Sequence, residues 1–79
     1  MLTIHKFPLS KILYMPMSAK ILCVQVQDGK PYIWAEIETD APKRRISIEV
    51  FGTGQELPST PMEYIGSYQD YHVYKNLDV

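Results

Sequence analysis

The stretch KILCVQVQDGKPYIWAEIET, residues 20–39, decides the fold. Leu22, Val24 and Val26 alternate with Cys23, Gln25 and Gln27; beyond Asp28-Gly29, Ile33, Ala35 and Ile37 alternate with Tyr32, Trp34, Glu36 and Glu38. A period of two puts neighbouring side chains on opposite faces of an extended chain. Asp-Gly accepts the two left-handed residues of a type I′ turn, so the two runs predict a hairpin with a two-residue loop. That loop sets the register: Gln27 opposite Lys30, Gln25 opposite Tyr32, Cys23 opposite Trp34, Val24 opposite Ile33 and Leu22 opposite Ala35. One face is aliphatic and belongs to the core. The other carries Trp34 and Tyr32 toward water or a partner. Pro31 has no N–H, and in this register its nitrogen points away from the hairpin partner, so no third strand is expected to pair there.

Working outward, residues 44–51 repeat the pattern, with Ile46, Ile48 and Val50 on one face and Arg45, Ser47, Glu49 and Phe51 on the other. The run stops at Gly52-Thr53-Gly54, a break in strand pattern. Pro58 and Pro61, with Ser59 and Thr60 between them, read as a loop. Two short strands are expected at residues 63–67 and 71–75, turning at Gln69-Asp70. Toward the N-terminus, residues 2–7 read as a strand closed by Pro8, and residues 11–15 as a weaker one ended by Pro16. Six prolines are spread through the chain, which leaves no ten-residue apolar stripe at helical spacing. The expectation is all-β: one domain over residues 1–79, a small antiparallel sandwich or open barrel of five to seven short strands.

The bulk numbers narrow the function classes. Seventy-nine residues make one domain with a small core, and such chains often gain stability by pairing with a copy of themselves or a partner, so a homo-oligomer is an open expectation. A net charge of -1 gives no general grip on duplex nucleic acid or an anionic membrane. One cysteine, Cys23, allows no intrachain disulfide and no cysteine-rich zinc site. No stretch approaches a membrane span or a secretory leader, so a cytoplasmic protein is expected. No cofactor is implied.

The chain also resembles a known family. Thr3-Ile4-His5-Lys6-Phe7-Pro8-Leu9 looks like its opening. Met15-Pro16 and residues 19–27 look like its central strand. Gly29-Lys30-Pro31, Trp34-Ala35, Gly52-Thr53-Gly54, residues 64–69 and His72-Val73-Tyr74 follow in family order. The family consists of small proteins of unknown function common in phages, prophages and bacteria. The resemblance covers nearly the whole chain and transfers no activity. It implies a setting in which small accessory proteins act as counter-defence factors, blocking a host protein or trapping a nucleotide-derived signal in the host cytoplasm.

Five constellations carry possible chemistry. Glycines in Gly52-Thr53-Gly54 free backbone N–H groups to face an anion, and Thr53 adds a hydroxyl; the bland alternative is a turn. Arg44 and Arg45, with Lys43, form the only compact basic run, suited to phosphate or carboxylate; the alternative is a solvated strand start. Trp34 with Tyr32 could stack a base or anchor a protein, or lie buried in a second core. Tyr64, Tyr68, Tyr71 and Tyr74 suit an interface, and equally a strand. His5, His72 and Cys23 lack metal-ligand spacing, so no metal site is expected. No nucleophile elbow or paired-acid signature appears, so no catalytic residue and no enzyme is expected, although a Cys-His pair could meet in space.

The leading expectation is a binding module that sequesters a small anionic, nucleotide-like ligand. Trp34 or Tyr68 would stack the base, and Arg44, Arg45 and the Gly52, Thr53, Gly54 backbone would hold phosphate. The alternative is a protein-interaction module that inhibits or decorates a host or virion protein.

Overall fold

A computed structural model describes residues 1–77, and among these it has seven strands and no helix. They are β1 (Leu2–Pro8), β2 (Ile12–Pro16), β3 (Lys20–Gln27), β4 (Lys30–Glu38), β5 (Lys43–Gly52), β6 (Met62–Tyr68) and β7 (Tyr71–Asn76). They form two antiparallel sheets, ordered β1-β4-β3 and β2-β5-β7-β6. The shortest extent of the backbone is 15 Å, which accommodates two sheets about 10 Å apart but no third layer. The small sandwich expected from the periodicity is the architecture, and among the described residues no strand or helix forms a third layer over either sheet's outer face.

Asp28 and Gly29 adopt φ of 53° and 79°, the paired left-handed conformation of the predicted turn. Cys23 pairs with Trp34, Val24 with Ile33, Gln25 with Tyr32 and Gln27 with Lys30, as the alternation requires. Leu22 departs from it. A bulge between Ile21 and Cys23 gives Ala35 to Ile21, and Leu22 is left 42% exposed instead of facing the core. The expectation at Pro31 is also corrected. β1 runs along β4 as far as Pro8 opposite Tyr32, and the Leu9 N–H donates to the Pro31 carbonyl at 3.1 Å. A proline lacks a donor but keeps its acceptor, and the acceptor suffices here.

Between the sheets lie Met15, Ile33 and Val73, fully buried, with Leu13, Val24, Ala35, Ile37, Ile46 and Ile48 around them. No polar or charged residue is buried among those described, so burial of apolar area holds the layers together. One side of the sandwich is nearly closed. A Cβ added at Gly66 on β6 would sit 3.3 Å from the Cβ, Cγ2 and backbone nitrogen of Val24 on β3. Glycine is what lets the two edges meet. β6 also has a bulge, between Tyr64 and Gly66. The two bulged strands are therefore the two that meet, and a bulge bends and twists its strand out of the plane of its own sheet.

Candidate functional site: the outer face of the four-stranded sheet

On β5, Ile46 and Ile48 point inward, so alternation turns Arg45, Ser47, Glu49 and Phe51 outward. The register then places Tyr74 opposite Glu49 and His72 opposite Phe51. Across the last hairpin, Tyr64 lies opposite Tyr74. The rings form a connected patch: Phe51 meets Tyr74 edge-on at 5.7 Å, Tyr64 meets Tyr74 edge-on at 5.2 Å, and Tyr64 lies 6.1 Å from the His72 ring. Phe51 is 8% exposed and anchors the patch, while Tyr64, 52% exposed, presents it.

A chain of hydrogen bonds fixes two of these rings, His72 and Tyr64. The Thr53 hydroxyl donates to the Asp70 carbonyl at 3.0 Å, which leaves its oxygen to accept from His72 Nε2–H at 3.0 Å. Nδ1 of the neutral ring is then an acceptor, and the Tyr64 hydroxyl donates to it at 3.3 Å. The pattern assigns His72 one tautomer and ties β6, β7 and the turn after β5 together through one side chain.

A shallow cavity of about 240 Å³ opens beside the patch, lined by Phe51, Thr53, Gln55, Leu57, His72 and Tyr74. It contains the glycine turn but not the expected anion cradle. Gly52 N–H donates to Gln55 Oε1 at 3.0 Å, and Thr53 N–H donates to the Asp70 carbonyl at 2.9 Å. The donors that a phosphate needs at Gly52 and Thr53 are thus engaged within the chain. Gly54, at φ 89°, serves the turn. For Gly52, Thr53 and Gly54 the geometry is that of a turn, and Thr53 acts as the brace of His72.

The remaining expected residues do not converge on this place. Arg45 is opposite Tyr14 and Arg44 opposite Met15, both at the exposed start of β5. Arg45 and Gly52 are seven residue steps apart along β5, roughly 23 Å at the usual rise. Tyr68 turns the other way and packs against the core, with its ring 5.4 Å from that of Tyr71. Trp34 belongs to the other sheet. There it is half-buried on the outer face, and Lys6 Nζ lies 4.9 Å from the Tyr32 ring centre and 5.8 Å from that of Trp34. Its indole Nε1 is buried without a hydrogen-bond partner. One site joining Trp34 to Arg44, Arg45 and the glycine turn is not assembled. Phe51, Tyr64, His72 and Tyr74 are brought together instead. For Phe51 the signal was an aromatic residue on the polar face of β5. For Tyr64 a bulge decides the face, and no residue type announces it.

Among the described residues no three or more His, Cys, Asp or Glu are placed to share a metal ion, and no helix is long and apolar enough to cross a membrane. No curated protein and no solved structure matches the chain. A family model does, over residues 1–78, and the chain belongs to that family, the Domain of unknown function (DUF7352).

Proposed function

We propose that the protein is a binding module that docks a partner protein against the outer face of the four-stranded sheet, through Phe51, Tyr64, His72 and Tyr74. The observation that carries this reading is the ring cluster on an uncovered sheet, with Tyr64 52% exposed and braced through His72 by Thr53. Pre-braced tyrosines lose little rotamer freedom on contact, and tyrosine is enriched among residues that dominate interface energies. The charges near the cluster also favour a protein over a phosphate. Glu49 lies opposite Tyr74 and accepts a hydrogen bond from Asn76 at 3.4 Å, so a carboxylate stands within the patch. The arginines that would neutralise an anion are at the far end of β5. A concavity of about 430 Å³ between the start of β3 and β6 is lined by both signs of charge: Lys20, Lys75 and Glu63. The setting in this proposal is that of a phage-type accessory protein acting on a host or virion protein in the host cytoplasm.

The test pairs two measurements. Immobilised protein is offered a bacterial host lysate, alongside Tyr64→Ala and Trp34→Ala variants. The expected result is a stoichiometric protein retained by the wild type and by Trp34→Ala but lost with Tyr64→Ala. Thermal denaturation is followed in parallel with mono-, di- and cyclic nucleotides. A stabilisation by any nucleotide that Trp34→Ala or Arg45→Ala removes would favour ligand sequestration and set aside the docking reading.

A further inference from the structure

On the side away from the Val24–Gly66 contact, β1 and β2 end their sheets, and among the described residues no further strand lies beside them. Two hydrogen bonds set the phase of the β1 edge. Leu9 N–H donates to the Pro31 carbonyl at 3.1 Å, and Thr39 N–H donates to the Met1 carbonyl at 3.0 Å. Bonded and non-bonded pairs alternate along an antiparallel ladder, so Thr3, His5 and Phe7 turn their backbone groups to β4. Leu2, Ile4 and Lys6 turn theirs to the open edge. Leu2 and Ile4, whose donors and acceptors point outward, are also 62% and 56% exposed. Pro8 follows in the same phase, so its missing N–H falls on the open edge as well.

We propose that this edge pairs antiparallel with β1 of a second copy of the chain, about a two-fold axis at Ile4. Ile4 then faces Ile4 of the second copy, Leu2 faces Lys6, and Thr3 faces His5. This register alone employs all three outward donors. Moving the axis toward Lys6 sets Pro8 against Leu2 or Ile4 and loses a bond; moving it toward Leu2 leaves Lys6 without a partner strand. About Ile4, Pro8 lies beyond the paired span and costs nothing. In this register Lys6 stands opposite Leu2 and not opposite another lysine; its ammonium stays with its own chain, donating to Gln27 Oε1 and lying over the Tyr32 and Trp34 rings, and Glu38, which faces Leu2 on β4, stays paired with the Met1 amino group. The edge is thus complementary to itself, which favours a second copy over a foreign peptide. β2 offers less. Its phase, set by Met17 N–H to the Pro42 carbonyl at 2.8 Å, leaves only Ile12 and Tyr14 as outward donors before Pro16. The proposal is independent of the aromatic face, which lies on the other sheet.

A short seam of this kind gives a weak dimer, with a dissociation constant on the order of 10 µM. Sedimentation equilibrium from roughly 1 µM to 1 mM spans that range. The expected result is a monomer–dimer equilibrium that Ile4→Pro abolishes with the β-sheet circular dichroism retained, because the Ile4 N–H takes no part in the β1–β4 ladder. Should that variant fail to fold, amide exchange in the wild type decides. The Ile4 and Lys6 amides must exchange more slowly as concentration rises, while those of Ile12 and Tyr14 stay unchanged. A chain that remains monomeric across the range, a dimer indifferent to Ile4→Pro, or protection that appears at Ile12 and Tyr14 instead would overturn the proposal.

Discussion

His72 holds two groups from different parts of the chain, the Thr53 hydroxyl and the Tyr64 phenol, through the two nitrogens of one ring. Both contacts are at the surface, where a hydrogen bond contributes modestly. His72→Ala is therefore expected to lower stability by no more than about 1 kcal/mol while loosening Tyr64 and weakening partner binding at least several-fold. Denaturant melts and binding titrations of the same variant separate the two effects. A large stability loss with unchanged binding would assign His72 a structural role only. The glycines divide in the same manner. Gly66→Ala presses a methyl group against the Val24 side chain and backbone at 3.3 Å, on a strand that is already paired with β4. A loss of about 1–3 kcal/mol is expected from overpacking, read as a lower denaturation midpoint. At Gly52 an added Cβ meets nothing nearer than Gln55 Oε1 at 3.9 Å, so Gly52→Ala should change stability by about 0.5 kcal/mol or less.

Among the elements, the first hairpin was the most legible. Its turn residues and its alternating faces agree with each other, and the pairing from Gln27 to Cys23 follows from them. Gly29 sits at φ 79°, so Gly29→Ala is expected to cost about 1–2 kcal/mol, measured by urea unfolding. What could not be read were the bulges at Leu22 and Ile65. A bulge inserts one residue into a register that a turn has otherwise set, and no side chain marks the place. Counted from the Tyr68–Tyr71 pair, an unbulged hairpin would set Tyr64 opposite Lys75; the bulge sets it opposite Tyr74, on the outer face. The strand ends were legible to within a residue or two, since Pro8 and Pro16 do close β1 and β2. The bulge at Leu22 has a consequence for packing as well. Leu22→Thr, at a 42% exposed position, should leave stability nearly unchanged, whereas Ile33→Ala, in the fully buried centre, should lose about 2–5 kcal/mol.

At the scale of the molecule, the seven strands among the described residues form two layers and leave two outer faces of different character. The three-stranded face carries Trp34 and Tyr32 under Lys6, with Glu36 and Glu38 along the same strand. The four-stranded face carries the braced ring cluster. Periodicity put Trp34 on an outer face, and the structure agrees. It gave no means to tell that Arg44, Arg45 and the glycine turn belong to the other sheet, because strand order depends on which edges meet and not on residues near one another in sequence. Docking of a partner on the four-stranded face is open to a direct test. The measurement is photo-crosslinking: a benzophenone side chain is placed at Tyr64, and separately at Tyr32, and the protein is irradiated in a host extract. A discrete protein adduct is expected from position 64 and none from position 32; an adduct from position 32 alone, or none from position 64, would rule out docking on the four-stranded face.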